Sequence, residues 1–286
     1  MTKAPFTWYG GKARHLDFIL PLLPECKHFV DVFGGSGCVL LAKDQSPAET
    51  YNDIDLNVVN FFKQLRDNKK ELIEEIRYTP CSRYEHDLLS KNESVSDLEK
   101  ARRFFVCAAT SYSGRYATSS WAYSRNESRY GIAERVARYR CDVERLDEIA
   151  ERLLSCQIEC CDCVDLIKRY DTPNTLFYCD PPYLQDVRGC GNCYKYEFTN
   201  ADHIRLSRVL STIQGRVAIS GYNSELYSAL YNGWKINIGP INRQRKTKTP
   251  RQEVVWTNYD VNTGEKIQTT LLSQQCNILS YAEASQ

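Results

Sequence analysis

Asp180, Pro181, Pro182 and Tyr183 directly follow the apolar run Thr175-Leu176-Phe177-Tyr178-Cys179. Such a run reads as a buried strand, and a carboxylate at a strand's carboxyl end lies at the active edge of an open α/β sheet. Two successive prolines fix the turn, remove two backbone donors and leave carbonyls facing outward. An exocyclic amine could give one hydrogen to the Asp180 carboxylate and the other to the Pro181 carbonyl. That pairing draws electron density onto the amine nitrogen and orients its lone pair, while Tyr183 offers a face for a base to stack on. The plainer alternative is an Asp-Pro-Pro turn capped by a packed tyrosine.

A second constellation lies upstream. His28 to Phe33 reads as a short apolar strand running into Gly34, Gly35, Ser36 and Gly37, after which Cys38 to Lys43 has helical spacing. Glycines in such a turn let backbone pass close to a ligand, and the following helix aims its N–H groups at it. No Lys-Ser or Lys-Thr follows them, which disfavours a nucleoside-triphosphate loop. The next strand ends at Asp53, 53 − 31 = 22 residues beyond Asp31, a spacing that suits a carboxylate accepting from ribose hydroxyls in a doubly wound fold. Together these imply an adenosine-containing ligand. Asp53 could instead cap the helix through Leu56-Asn57-Val58-Val59, a role for which Asn52 and Asp55 compete.

Strands that alternate with helices are needed to hold these groups together. Beyond the two units above, Ser155 to Tyr170 reads as strand then helix, Asn174 to Asp180 as a fully buried strand, Gly215 to Tyr222 as another, and Glu253 to Tyr259 as an edge or hairpin strand. This pattern predicts a mainly parallel sheet with helices on both faces. Between residues 65 and 155 the sequence is charged and helix-forming, with no buried strand, and reads as an insertion. The chain has 286 residues, 42% hydrophobic and 26% charged, which excludes a fibrous or largely disordered protein. It lacks a signal-peptide core and any run approaching the roughly 20 apolar residues of a membrane span, so a cytoplasmic location is expected.

The net charge of +1 averages unlike regions. Residues 100–140 carry nine Lys or Arg against Glu127 and Glu134, a balance of 9 − 2 = +7, interleaved with aromatics from Phe104 to Tyr139. Arginine forks can grip phosphates and aromatic faces can stack bases; the alternative is a solvated helix with a few core aromatics. A second basic run comprises Arg243, Arg245, Lys246, Lys248 and Arg251. Of the 13 cysteines, most lie in apolar runs and read as reduced and buried. Cys156, Cys160, Cys161 and Cys163, or Cys190 and Cys193, could be imagined as zinc ligands, but the spacing lacks a clean partner pair and no metal is expected.

Asp180-Pro181-Pro182-Tyr183, with Trp8-Tyr9-Gly10-Gly11-Lys12, the Phe33 to Gly37 turn and Asn52-Asp53, resembles the Dam-like (D12 class) DNA adenine-N6 methyltransferases. The resemblance is close to chain-long and extends to phage-type blocks at Asp202-His203 with Leu206, Ser220-Gly221-Tyr222 and Glu253-Val254-Val255-Trp256. Asp180-Pro181-Pro182-Tyr183 alone would admit cytosine-N4 methylation; the Trp-x-Gly-Gly-Lys start makes the adenine assignment specific. The implied fold is α/β, a Rossmann-like S-adenosylmethionine-dependent methyltransferase sheet with an inserted, mainly helical target-recognition domain. Residues 1–64 and 156–286 would form the catalytic and cofactor-binding domain, and residues 65–155 the insertion.

Position by position, the resemblance implies that Trp8 and Lys12 contact S-adenosylmethionine, that Asp31, Phe33, Gly34, Gly35, Ser36 and Gly37 hold its methionine end, and that Asp53 binds the ribose. Asp162 would contact the cofactor adenine, with Cys163 standing where the family usually has an aromatic residue. Asp180, Pro181, Pro182 and Tyr183 would be catalytic. Arg115, Arg125, Arg129, Arg243, Arg245 and Lys246 are the expected DNA contacts; the loose match around Tyr112 to Arg115 transfers no sequence preference. The expected partner is double-stranded DNA with a flipped-out adenine, acted on by a monomer, without a membrane, and with a restriction endonuclease encoded elsewhere as a candidate companion. The rival readings are a cytosine-N4 or RNA methyltransferase and a non-enzymatic DNA-binding module stapled by zinc through Cys190 and Cys193.

Overall fold

The computed structural model of the chain describes residues 3–91, 93–118, 120–128, 130–184, 194–241 and 252–267. Its strands are β1 (His28–Asp31), β2 (Ala48–Asn52), β3 (Cys156–Glu159), β4 (Thr175–Cys179), β5 (Arg216–Tyr222), β6 (Lys235–Ile241) and β7 (Gln252–Thr257). They form one sheet in the order β3-β2-β1-β4-β5-β7-β6. The first five in that order run parallel, and β7 pairs antiparallel with both β5 and β6. The Glu253 to Thr257 strand therefore belongs to a hairpin, as one of the two expected alternatives had it, but it is not an edge. β6 covers it; the Lys235–Ile241 segment was not among the expected strands, although Ile236 and Ile238 alternate with Lys235, Asn237 and Gly239.

Period-two alternation sends successive side chains to opposite faces. Phe29, Leu176, Tyr178, Ala218 and Val255 pack in one core cluster, while Val30, Phe177, Cys179, Ile219 and Trp256 pack in the other. The second face is covered by the helices Cys163–Tyr170, Asn200–Leu210 and Glu225–Leu230. The first is covered by Leu56–Asp67, whose buried Val58, Val59, Phe61, Phe62 and Leu65 recur at helical spacing, and by helices from within residues 65–155. Phe104, Phe105, Leu146 and Ile149 belong to the same cluster as Phe29 and Tyr51, so the inserted segment and the sheet share a core.

The chain leaves β1 for β2 and β3 on one side and returns to β4 on the other. Strand order thus reverses between β1 and β4, and the crevice beyond their carboxyl ends is where open α/β sheets bind ligands. Asp31 lies opposite Tyr178 in that register, which puts Asp180 just beyond it. Among the described residues no helix is long and apolar enough to cross a membrane.

The basic segment is resolved into unlike parts. Arg102 and Arg103 are buried on the helix Asp97–Thr110 and bound to Glu99, Glu85 and Glu93 at 2.6–2.9 Å. The count over residues 100–140 began one residue past Glu99, so it missed the acid that neutralises them. Phe104, Phe105 and Tyr139 are core residues, whereas Tyr112, Tyr123 and Tyr130 are exposed.

Candidate active site

A cavity of about 310 Å³ opens at the β1/β4 switch point. Its walls come from the amino-terminal segment around Trp8 to Lys12, the ends of β1, β2, β3 and β4, residues 114–117 of the insertion, and residues 194–198. Most residues expected to bind cofactor are brought together here: Trp8, Lys12, Asp31, Phe33, Gly34, Ser36, Asp53 and Asp162 all line it.

The glycine turn is shaped by close packing. A Cβ on Gly34 would lie 2.2 Å from the Tyr51 ring, and one on Gly35 would lie 2.4 Å from the Trp8 indole nitrogen. Tyr51 is fully buried and its hydroxyl donates to the Gly35 carbonyl at 2.7 Å, so its ring has no room to yield. Gly35 and Gly37 have φ of +51° and +68°, left-handed backbone that glycine adopts without steric cost. Gly37 is the N-cap of the helix Cys38–Ala42.

Carboxylates ring the cavity in distinct states. Asp53 accepts from the Gly35 amide and from the Asp55 amide, both at 2.8 Å. Asp55, not Asp53, caps the next helix through the Asn57 amide at 3.0 Å, which settles the competition left open by sequence spacing. Burial lifts the Asp53 carboxyl to about 6 against these amides. Asp31 is 2% exposed and its Oδ1 has no hydrogen-bond partner. Burial, then repulsion from Asp180 and Asp53, pushes it up to about 8.

Asp162 is more heavily occupied than its expected adenine contact suggested. It caps the helix Cys163–Tyr170 through the Val164 amide at 2.9 Å and takes a two-pronged ion pair from Arg205 at 2.7 and 3.0 Å. The Arg205 hydrogen bond holds its pKa below the ordinary carboxylate value. Cys163 is buried on the cavity wall, and aromatic surface there comes from Phe33 and Phe198, whose rings meet edge to face at 5.6 Å.

The catalytic motif occupies the end of β4. Asp180 and Pro182 line the cavity, and the Asp180 Oδ1 lies 2.7 Å from the Lys12 ammonium. That contact is a close ion pair without hydrogen-bond direction at Oδ1. Lys12 also donates to the Gly10 carbonyl at 2.8 Å, lies 3.8 Å from Glu253 and sits 4.7 Å over the Tyr183 ring. Burial opposes its charge, yet Asp180 and Glu253 outweigh burial and keep its pKa above the ordinary value. Burial lifts Asp180 to about 6 despite Lys12. Lys12, expected as a cofactor contact, lines the cavity and is paired with Asp180. Tyr183 is buried, donates its hydroxyl to Glu253 and packs edge to face on Tyr222 at 4.7 Å; it is not among the residues lining the cavity.

The insertion reaches into the same site. Tyr116 stacks on Trp8 with ring centroids 5.5 Å apart and donates to Asp55, which also binds Lys195 at 2.9 Å. Arg115, expected on DNA, lines the cavity with its guanidinium 4.6 Å from the Tyr9 ring centre and its Nε buried without a partner. Arg125 is exposed, 6.0 Å from the Tyr123 ring. Arg129, Arg243, Arg245, Lys246, Cys190 and Cys193 lie outside the described residues. Glu253, Tyr116 and Arg205 were not assigned roles from sequence, whereas Asp55 was named among the competing helix caps. The Asp55 cap was legible from its position before Leu56, but the others act through partners 40 or more residues away, which no spacing reveals. Among the described residues, Cys38, Cys107, Cys156, Cys163 and Cys179 are buried free thiols, and no cluster of three or more His, Cys, Asp or Glu could hold a metal.

The donor set suits S-adenosylmethionine: an orphaned buried carboxylate oxygen for a cation, a second carboxylate for hydroxyls, glycines for close backbone approach and aromatic walls for a base. Residues 8–247 match the family described as D12 class N6 adenine-specific DNA methyltransferase. The chain is 26% identical over 280 residues to the Type II methyltransferase M1.LlaDCHI of Lactococcus lactis subsp. cremoris, covering 89% of this chain and 95% of that one. It is 24% identical over 260 residues to the DNA N-6-adenine-methyltransferase of Escherichia phage P1, covering 84% of this chain and 32% of the phage protein. With a seven-stranded, mostly parallel sheet and a cofactor-shaped crevice at its switch point, the chain belongs to the D12 class of S-adenosylmethionine-dependent, N6 adenine-specific DNA methyltransferases.

Proposed function

We propose that Asp180, Pro181, Pro182 and Tyr183 hold a flipped-out adenine of double-stranded DNA for methylation at N6. The adenine must leave the stack because its amine cannot be aligned with an enzyme-bound methyl donor inside the duplex. Asp180 accepts one amine hydrogen and the Pro181 carbonyl the other, so the nitrogen lone pair faces the donor. Pro182 keeps the turn rigid, and Tyr183 borders the base. Catalysis is then mostly positioning and hydrogen-bond polarisation.

S-adenosylmethionine supplies an electrophilic methyl group on a sulfonium. Asp31 pairs with its ammonium, the Phe33 to Gly37 turn accommodates the methionine end, Asp53 accepts from the ribose hydroxyls, and Trp8 and Asp162 wall the pocket. Residues 1–64 and 156–286 act as the catalytic domain and residues 65–155 as the target-recognition insertion, with Arg115, Arg125, Arg129, Arg243, Arg245 and Lys246 as DNA contacts. The enzyme acts as a monomer, since one chain supplies every group named. The Lactococcus relative is named a Type II methyltransferase, which supports a companion restriction endonuclease as a further proposal.

The observation that carries the catalytic reading is the Asp180 carboxylate at the end of β4, on the cavity wall beside the orphaned Asp31 oxygen. Asp180→Ala should retain cofactor binding and lose on the order of 10³-fold or more in methylation rate, measured by mass spectrometry of nucleosides from treated DNA. A wild-type rate of N6-methyladenine formation by that variant overturns the assignment.

A further inference from the structure

Glu253 is a buried carboxylate, 3% exposed, that no step above employs. It lies on β7 directly opposite Tyr222 on β5, and the Tyr183 ring is seated on Tyr222 with its hydroxyl on Glu253 Oε1. The β5/β7 pair therefore fixes the tyrosine of the catalytic motif at both its ring and its oxygen. The same Oε1 faces Lys12, whose ammonium lies between two carboxylates, 2.7 Å from Asp180 and 3.8 Å from Glu253.

This arrangement contains a conflict. The carboxylate that holds Lys12 through Oδ1 is, on the reading above, also the acceptor for the substrate amine, and a carboxylate already neutralised by an ammonium is a weaker acceptor. A move of about 1 Å would bring Lys12 to charge-assisted hydrogen-bond distance from Glu253. That move exchanges one counter-charge for another, Asp180 for Glu253. We propose that Glu253 is a positioning residue for methyl transfer: it anchors Tyr183 through the phenol hydroxyl and takes over Lys12 when the amine engages Asp180. The inference rests on the reading of Asp180 as the amine acceptor.

Two variants test it, Glu253→Gln and Tyr183→Phe, in single-turnover methylation of adenine in duplex DNA with S-adenosylmethionine pre-bound, across pH 5.5 to 9. Gln keeps the size of Glu and an acceptor for Tyr183 but cannot balance Lys12; Phe keeps the ring and removes the hydroxyl. Cofactor affinity should stay within about threefold of wild type in both, while the rate in Glu253→Gln falls roughly 10- to 100-fold. The ionisable groups that interact with Asp180 are Lys12, Glu253, Tyr183 and Asp31, with His15, Cys38, Tyr178, Cys179 and Tyr227 from the surrounding elements. These surrounding groups, including His15 with its pKa lowered by burial, are common to wild type and variant. Because Glu253 repels the Asp180 charge, its neutralisation should move the acidic limb of the rate profile to lower pH, an effect that a merely structural role would not produce. The Tyr183→Phe rate should fall as well, and the double variant should lose less than the product of the single losses, because both act on one carboxylate.

A Glu253→Gln enzyme that binds cofactor normally, runs at the wild-type rate and keeps its acidic limb in place overturns the inference. If that variant does not fold, Tyr183→Phe decides alone, and a wild-type rate is fatal to the proposal. Asp180→Ala in the same assay separates the two readings: inactivity there leaves the catalytic assignment standing whatever Glu253 does, and activity removes both.

Discussion

Asp31→Asn removes one charge-capable atom and leaves the shape of the crevice unchanged. In the structure this carboxyl is driven by burial, then by Asp180 and Asp53, from 3.8 up to about 8. At pH 7 the unliganded protein holds it protonated, whereas the unfolded chain ionises it. A raised folded-state pKa contributes stability that is present at low pH and is lost as the pH rises through about 8. The interval 7 − 3.8 = 3.2 units corresponds to a loss on the order of 4 kcal/mol at pH 7. Asn carries no such loss, so the unliganded variant should match wild type near pH 4 and exceed it by several kcal/mol at pH 7 to 8 in denaturant unfolding.

Cofactor binding should change in the opposite sense. A cation seated on Asp31 requires the proton to leave, so wild-type affinity should rise with pH by up to about tenfold per unit between roughly 6.5 and 8 and then level off. Removing one partner of a buried charge pair costs about 2–5 kcal/mol, which is about thirtyfold or more in affinity. Isothermal titration of S-adenosylmethionine in two buffers of different ionisation heat counts the released proton directly. Wild-type binding that releases no proton, together with an Asn variant of unchanged affinity, would refute the placement of a cation at Asp31.

Three further outcomes are expected. Gly34→Ala should lose cofactor affinity and about 1–3 kcal/mol of stability in chemical denaturation, because the added Cβ meets the immobile Tyr51 ring at 2.2 Å; an unperturbed variant would mean that the turn is looser than its packing implies. Glu49 is buried on β2 with Lys43 at 3.1 Å and Arg152 as partners. Burial raises its pKa, but the Arg152 hydrogen bond, the Ser46 amide and Lys43 outweigh burial and leave it lowered. Its stability contribution is therefore present above the unfolded carboxyl value and lost as the pH falls through the lower folded one. Glu49→Gln should cost about 3–5 kcal/mol near neutrality, less in acid, in unfolding titrations at two pH values. Arg125→Ala should weaken DNA binding across sequences and reduce the slope of log affinity against log salt by about one; a slope equal to wild type would exclude a phosphate contact there.

Local chemistry was enough to expose much of this protein in its sequence. Strand-terminal Asp31, Asp53 and Asp180, the glycine turn and the double proline are properties of short segments, because turns and strand ends are set by neighbours in the chain. The unbroken apolar run from Leu176 to Cys179 likewise announces a strand buried on both faces, with Phe177 and Cys179 in one cluster and Leu176 and Tyr178 in the other. Charge counting failed where partners fall outside the counted window: Arg102 and Arg103 add to a basic balance until Glu99, Glu85 and Glu93 are brought to them. β6 went unread although its isoleucines alternate at strand spacing; Ile236 and Ile238 are exposed, so pairing with β7 and not burial of an apolar face holds the strand in place.

The ionic state of the site lay beyond any local reading. Lys12 and Asp180 are 168 residues apart (180 − 12), yet their ion pair, with Glu253 behind it, sets the charge balance at the end of β4. Sequence specifies which residues stand at strand ends, since backbone conformation there is governed by adjacent residues. Burial and through-space charge depend on how the sheet orders its strands, and only the β3-β2-β1-β4-β5-β7-β6 arrangement brings the amino-terminal lysine, the β4 carboxylate and the β7 carboxylate into one desolvated cluster.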